Sequence, residues 1–433
     1  MPKHILCAFP FTMAGIGPAG DVTVCCGLWS RVKSIGNLKT RTLYSIWNGE
    51  AARAIRRAIY SNNVEHFCDS LTCPIVKAGK MIPLEGKTPS DYPYDGFNDT
   101  ILADIESGND FMNSFPTRFS LGFDDRCNLR CIMCPRSSAH PMFDDSLAEK
   151  VFRELKEHSK DIRSIQLSGN GDPFVIPRYR EFLQKSDPAH YPNLRIIVLT
   201  NGQLLDGKMW ETIRHNRFES IKVSVDAATK ETYSKIRIGG SWDRLLENLS
   251  LLGKLRNEGA FAAFQINMTV MRANYHEVYE FIELGRSVGA TNVLFQMIFD
   301  TWHQQDFVYP AYDRNIVSYL KEFLNSREAK TEGVDVSGLL HLFDIEEDNM
   351  LRIQARLGEV EAERDTLRAE VEAQKEQIRL TTDRLRTLEQ LCQTIQAGRA
   401  YRLLRQLGRW KWVERTLAEL QGNAVDGSAG RER

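Results

Sequence analysis

From residue 118 to about 300, short apolar runs take turns with longer stretches whose apolar residues return every three or four positions. The short runs read as strands: Arg118–Phe123, Ser164–Leu167, Arg195–Thr200, Ser220–Val225, Phe264–Met271 and Val293–Phe299. Helical patterns separate them at Asp144–His158, Arg178–Lys185, Asp206–His215, Trp242–Arg256 and His276–Val288. In the first of these, Leu147, Val151 and Leu155 share a face, and Asp144, Asp145 or Ser146 can cap the N-terminus. Such alternation predicts an α/β fold with parallel strands joined by right-handed helical crossovers. Six units predict a partial (β/α)6 TIM-like barrel rather than a closed eight-fold one. Chemistry in such barrels sits at the C-terminal ends of the strands.

The pattern changes on both sides of this region. Upstream, a Gly/Pro-rich stretch (residues 14–20) leads into a short strand at Asp21–Cys26, and an amphipathic helix opens at Leu43 and continues to about Tyr60. Residues 86–117 carry chain breakers and read as a linker over the surface. Downstream, residues 302–342 look mixed and mostly helical. From Ile353 the apolar positions fall into a 3/4 repeat: Ile353, Leu357, Val360, Leu367, Val371, Ile378, Leu385, Leu388, Cys392 and Ile395. Sustained heptads predict a coiled coil, with Arg364, Gln374 and Thr381 interrupting the seam and able to set register or oligomer state. The competing expectation is a long amphipathic helix folded back on the body. Arg399–Leu420 is a basic helix with Leu403, Leu404, Leu407, Trp410, Trp412, Val413 and Leu417, suited to docking a partner or lying on an anionic membrane surface. The expected division is a small Cys-rich α+β domain (1–85), a linker (86–117), the barrel (118–345), a coiled coil (346–398), and a basic amphipathic helix with a frayed tail (399–433).

Composition adds limits. The chain has 433 residues, 42% of them apolar and 26% charged, with a net charge of −1, so nucleic acid is not an expected partner. No apolar run approaches a membrane span, and no signal peptide is evident. Nine cysteines, eight of them in the first third, suit metal binding in a reducing compartment better than a disulfide scaffold, and the expected location is the cytoplasm.

The chemistry-bearing residues fall at the predicted strand ends. After the first strand, Cys127, Cys131 and Cys134 lie within eight residues. A structural zinc site closes with four ligands, whereas three thiolates on an iron–sulfur cluster leave one iron open. After the second strand comes Ser168-Gly169-Asn170-Gly171-Asp172-Pro173, whose glycines admit close backbone approach and whose Asp172 offers a negative charge to an ammonium group. Taken alone that stretch is a turn. Thr200-Asn201-Gly202 follows the third strand, Ser224-Val225-Asp226 ends the fourth, and Asn267, Thr269 and Gln296 lie on the last two. Several polar strand ends on one rim define a site. Arg136, His140, Asn267, Gln296 and His303 are candidates to line its substrate pocket; for each, a hydrogen-bonded structural role is the competing expectation. In the N-terminal segment, Cys7, Cys25, Cys68 and Cys73 could ligate one metal or cluster, with Cys26 able to exchange with Cys25; a structural zinc knuckle is the alternative there.

The run C-x3-C-x2-C resembles the signature of the radical S-adenosylmethionine (SAM) enzymes. The resemblance implies a [4Fe–4S] cluster on Cys127, Cys131 and Cys134 whose open iron chelates SAM. The reduced cluster then cleaves SAM to methionine and a 5′-deoxyadenosyl radical, which abstracts hydrogen from substrate. The Gly169–Asp172 stretch is similar to the family's Gly-Gly-Glu-type motif for the SAM amino group, with Asp in place of Glu. Ser224 and Asp226 resemble the Ser-x-Asp in which the Ser reaches the SAM ribose, and Arg237 then suits the SAM carboxylate. Asn201 would touch the ribose or hold a turn, and Met133 would pack on adenine. Gly20-Asp21-Val22, Ile35-Gly36-Asn37, Ile46-Trp47-Asn48 and the four N-terminal cysteines resemble a SPASM/twitch auxiliary-cluster domain, here placed before the barrel rather than after it. The family implies an external electron donor. Its SPASM members commonly modify peptides or proteins, while others act on sugars and other small molecules, as dehydrogenases, epimerases or methyl-transfer enzymes. A non-catalytic metal-binding coiled-coil scaffold is the reading from another class. The coiled coil implies a homo-oligomer or a partner protein.

Overall fold

The computed structural model describes residues 3–406 except 26–30, 33, 69–72, 93–95, 135–143, 168, 298–312 and 341–346, and also residues 411 and 415. It divides into two units, Met1–Glu346 and Glu347–Arg433.

The first unit is built on a ten-stranded sheet. In chain order its strands are β1 (Met13–Ile16), β2 (Asp21–Thr23), β3 (Gly36–Asn37), β4 (Arg118–Leu121), β5 (Ser164–Leu167), β6 (Arg195–Thr200), β7 (Phe218–Ser224), β8 (Phe261–Val270), β9 (Asn292–Met297) and β10 (Val334–Gly338). The spatial order is β10-β9-β8-β7-β6-β5-β4-β1-β2-β3. From β4 to β10 every neighbouring pair is parallel, and β4 to β9 are the six expected strands in sequential order. β10 adds a seventh parallel strand in a region expected to be mostly helical.

Helices α4 (Asp145–Glu157), α5 (Pro177–Lys185), α6 (Gly207–Ile213), α8 (Trp242–Asn257) and α9 (Val278–Ser287) make the crossovers, with α7 (Lys230–Ile236) between β7 and α8. Their starts are set locally. Asp144 accepts from the Ser146 and Leu147 amides, Asp206 from Met209, Thr229 from Thr232 and Ser241 from Arg244, and Pro177 opens α5. One sheet face is apolar and buried under these helices: Phe119, Leu121, Ile165, Leu167, Ile196, Val198, Ile221 and Val223. The alternate positions Ser120, Gln166, Lys222, Gln265 and Thr269 are half-buried and polar. Period-two burial of this kind gives the sheet a dry face and a wet one.

Upstream of β4 the structure departs from the expected domain-and-linker division. β1 runs parallel to β4, pairing Met13 through Ile16 with Arg118 through Leu121, and β2 and β3 continue the sheet antiparallel. The N-terminal segment is therefore hydrogen-bonded into the same sheet as the parallel strands. A pairing across a hundred residues leaves no local pattern to read. The expected helix from Leu43 is broken into α1 (Leu43–Trp47) and α2 (Glu50–Tyr60), with Asn48 and Gly49 between. Residues 86–117 are also more than a linker, because α3 (Asp99–Glu106) buries Ile101, Leu102 and Ile105 under an Asn98 cap. Those apolar residues are sparse enough for the flanking breakers to mask them.

The second unit contains α11 (Glu347–Ala397), a single helix of 51 residues, followed by α12 (Arg399–Gln406). Heptad residues Val360, Leu367, Val371, Ile378, Leu385 and Leu388 are exposed. α10 (Arg314–Asn325) belongs to the first unit and buries Ile316, Val317, Leu320, Phe323 and Leu324. No described helix is long and apolar enough to cross a membrane.

Candidate functional site

The Cys loop leaves β4 and is fixed at its midpoint. Arg130–Cys131 pairs antiparallel with Arg237–Ile238, at the end of α7, and the Ile132 amide donates to the Ile236 carbonyl at 3.0 Å. Leu129 is buried, and the Cys134 amide closes a turn onto the Cys131 carbonyl at 3.1 Å. All three thiols remain half-buried, as ligands of a group reached from solvent must be.

Donors converge on two of the sulfurs. Cys127 Sγ receives the Leu129 amide at 3.4 Å and Asn201 Nδ2 at 3.5 Å. Arg237 Nη1 lies 3.5 Å from Cys131 Sγ, and its Nη2 pairs with Asp226. Burial pushes the Cys131 thiol up, while Arg237 beside it pulls the other way. Burial lowers the Arg237 guanidinium, but Asp226 and the Cys131 sulfur outweigh it and hold the charge firmly on. Hydrogen bonds that favour a charged sulfur suit a thiolate ligand.

Asp226 reaches this position through a left-handed backbone, φ 63°. Its Oδ1 accepts the Thr269 amide at 2.7 Å, and its carbonyl accepts Asn274 Nδ2 at 2.8 Å. Strain at a non-glycine residue persists where surrounding bonds over-determine it.

Asp172 is fully buried. Its carboxylate accepts Thr200 Oγ1 at 2.7 Å and the amides of Asn201 at 2.8 Å and Phe174 at 2.9 Å. Burial raises its pKa against the pull of those donors. Its amide donates to Arg126 O at 2.9 Å. Gly171, at φ 68°, would place a Cβ 2.6 Å from that same carbonyl. The Gly-rich turn therefore clamps the approach to Cys127 against the end of β6. Gly169 by contrast has nothing within 4 Å of a would-be Cβ. Ser224 stands half-buried at the end of β7. Met133, with Ile132, packs against buried Ile236 and Met271.

Two of the three Arg237 nitrogens serve Asp226 and Cys131. Its Nε is buried without a partner and remains available to a ligand in the site. Of the expected pocket residues, Asn267 accepts Gln265 Nε2 at 2.6 Å and Gln296 donates to Thr269 at 3.2 Å. Arg136, His140, His303, Ser168 and Cys26 lie outside the described residues.

Three buried polar residues escaped the sequence reading. Gln203 joins Tyr233 OH and the Ser241 carbonyl, each at 2.9 Å; Asn274 supports Asp226; Glu277 accepts the Ala228 amide at 2.6 Å. None sits in a motif, because each acts across elements rather than along the chain. Lys222 was also missed. It stands half-buried on the polar face of β7, and burial pulls its pKa down.

The other four cysteines form a separate group. Cys7, Cys25, Cys68 and Cys73 line one small cavity with Leu6, Pro10, Ile55, Ile59 and Phe67. Burial and then the nearby Cys73 push the Cys68 thiol up. Among the described residues, no three His, Cys, Asp or Glu side chains are grouped to hold a single metal ion. The donor set fits iron–sulfur groups in both places: three half-buried thiols with convergent donors at one, four thiols around an apolar cavity at the other.

Comparison with known proteins agrees. Residues 123–285 match the radical SAM superfamily, and residues 7–74 match SPASM, an iron–sulfur cluster-binding domain. The AdoMet-dependent heme synthase of Methanosarcina barkeri is 28% identical over 259 residues, which cover 54% of this chain and 71% of that protein. Mycofactocin maturase MftC of Mycobacterium tuberculosis is 28% identical over 172 residues, which cover 38% of this chain and 40% of that one. The chain thus spans about two fifths of the maturase. Streptococcus suis SuiB, solved bound to the precursor peptide SuiA, aligns at a TM-score of 0.40 and 15% identity, covering 68% of this chain and 64% of that one. A [4Fe–4S] cluster and SAM are the cofactors of the first site, and the N-terminal segment is of the auxiliary-cluster type. Residues 123–285 thus form the radical SAM domain of an iron–sulfur enzyme, preceded at residues 7–74 by a SPASM iron–sulfur cluster-binding domain.

Proposed function

We propose that this enzyme abstracts a hydrogen atom from a peptide or protein substrate, using SAM bound at a cluster on Cys127, Cys131 and Cys134 within a partial (β/α)6 barrel. With both groups in place the site has one-electron cleavage of SAM and hydrogen abstraction available to it, fed by an external electron donor. The observation that carries the reading is the pair of donors on the sulfurs: Asn201 on Cys127 and Arg237 on Cys131, each at 3.5 Å. Buried structural thiols do not need a guanidinium and an amide aimed at them.

In this reading Asn201 and Arg237 hold the sulfurs charged and oriented. Gly169 leaves open space for a ligand, and Ser224 presents a hydroxyl at the end of β7. Asp226 keeps Arg237 in place, and Gly171 with Asp172 fixes the loop. Met133 shields the apolar side through Ile236 and Met271. Cys7, Cys25, Cys68 and Cys73 hold the auxiliary cluster, with Cys26 as alternate to Cys25. A protein ligand set of four leaves that cluster no open iron, so it serves structure or electron transfer rather than SAM. The SPASM-type segment, joined to the sheet of the barrel through β1 and β4, supports a peptide or protein substrate. The heme synthase relative favours a second reading, a small-molecule substrate.

Anaerobic reconstitution tests both levels. The expected result is about eight iron atoms per chain and reductive formation of 5′-deoxyadenosine that is lost in Cys127→Ala. A protein that binds iron but never turns over SAM would refute the reading. Mass spectrometry of a peptide library and a sugar panel after turnover separates the two substrate classes.

A further inference from the structure

The long helix of the second unit carries an exposed apolar face among the described residues. α11 runs 51 residues, about 75 Å. Along it Val360, Leu367, Ile378 and Leu388 are 47%, 55%, 65% and 57% exposed. A helix core rarely leaves that much aliphatic surface in water, so the face is built to be covered.

The charges beside the seam identify what covers it. In heptad notation Leu357, Arg364, Val371, Ile378, Leu385 and Cys392 take a positions, and Ile353, Val360, Leu367, Gln374, Thr381, Leu388 and Ile395 take d. The g positions then hold Arg356, Glu363, Glu370, Gln377, Arg384 and Leu391; the e positions hold Glu361, Arg368, Lys375, Thr382, Glu389 and Gln396. In a parallel, in-register pair, each g residue faces the e residue five positions on in the other chain. For this sequence those pairs are Arg356 with Glu361, Glu363 with Arg368, Glu370 with Lys375, and Arg384 with Glu389. Every charged pair is of opposite sign, and the other two pairs carry no charge. Valine and isoleucine at two a positions, and a charged Arg364 at a third, suit two strands.

We propose that α11 is the dimerisation element of this enzyme: two copies of the chain associate through it as a parallel, in-register coiled coil. The complementarity belongs to the sequence paired with itself, which makes a second copy the occupant rather than an unrelated helix or the chain's own body. Arg364 and Gln374 hold the register at the cost of some stability, since a slip would bury them against apolar neighbours. The proposal stands independently of the substrate and of the radical chemistry.

The test is sedimentation velocity of the full chain at micromolar concentration, with charge-swapped variants. The wild type is expected as a dimer. Glu363→Lys with Glu370→Lys turns attractive g–e contacts repulsive on both sides of the seam and should weaken the dimer about tenfold or more. Adding Arg368→Glu and Lys375→Glu to the same chain should restore it. A thiol cross-linker should join two chains through Cys392, with the product absent in Cys392→Ser. A monomeric full chain would overturn the proposal. So would a stoichiometry above two, a dimer indifferent to the half-swap, or one that the e-position swaps fail to restore, as antiparallel pairing of g with g would give. The loss and return of association in the same fold separates a pairing effect from misfolding.

Discussion

The carboxylate of Asp172 accepts three hydrogen bonds and has no exposed surface, so it holds the Gly-rich turn against the end of β6. Asp172→Ala should therefore cost about 3 kcal/mol or more in denaturant unfolding, because three buried donors lose their acceptor at once. A variant as stable as wild type but unable to bind SAM would contradict that structural role. Arg237 carries a similar lesson. Its charge is spent on Asp226 and on Cys131, and only Nε remains unpaired. Asp, Arg and Asn at strand ends were visible in the sequence as candidate polar groups. Which of them faces a ligand and which faces another strand end was not, because a few ångströms of side-chain direction decide it.

At the scale of elements, strand and helix positions from residue 118 to 297 follow the apolar pattern closely, since period-two and period-3.6 burial are local properties. Crossover packing adds constraints that periodicity does not carry. Gly253 in α8 meets the turn after α9, where a Cβ would stand 1.9 Å from the Val288 carbonyl. In an isolated helix Gly→Ala stabilises. Here Gly253→Ala should destabilise the enzyme by about 1–3 kcal/mol, measured by chemical denaturation, because backbone must move to admit one methyl group. The segment from 86 to 117 shows the opposite limit. Its breakers are conspicuous, and the helix α3 between them is short enough to be hidden by them.

At the scale of the first unit, strands of the N-terminal Cys-rich segment and the parallel strands from β4 onward share a sheet, so that segment is coupled to β4 through β1. Four thiols from distant points of that segment converge on an apolar cavity, and a bound cluster would cross-link them. Iron removal by chelation should therefore lower hydrogen-exchange protection first in residues 4–84 and only afterwards in β5–β9. Uniform loss across the sheet, or no loss at all, would contradict a structural role for that group.

Sequence alone determined the three closely spaced thiols, the six strand–helix units, and the heptads with their self-complementary charges. Each is written in residues that are neighbours along the chain or recur at a fixed period. Tertiary structure alone decided that β1 joins the barrel through β4, that Asp172 is buried, and that Asn201 and Arg237 address Cys127 and Cys131. Those are contacts between segments 29 to more than 100 residues apart. Local patterning sets what each segment can become. Only the shared burial of many segments sets which polar group meets which.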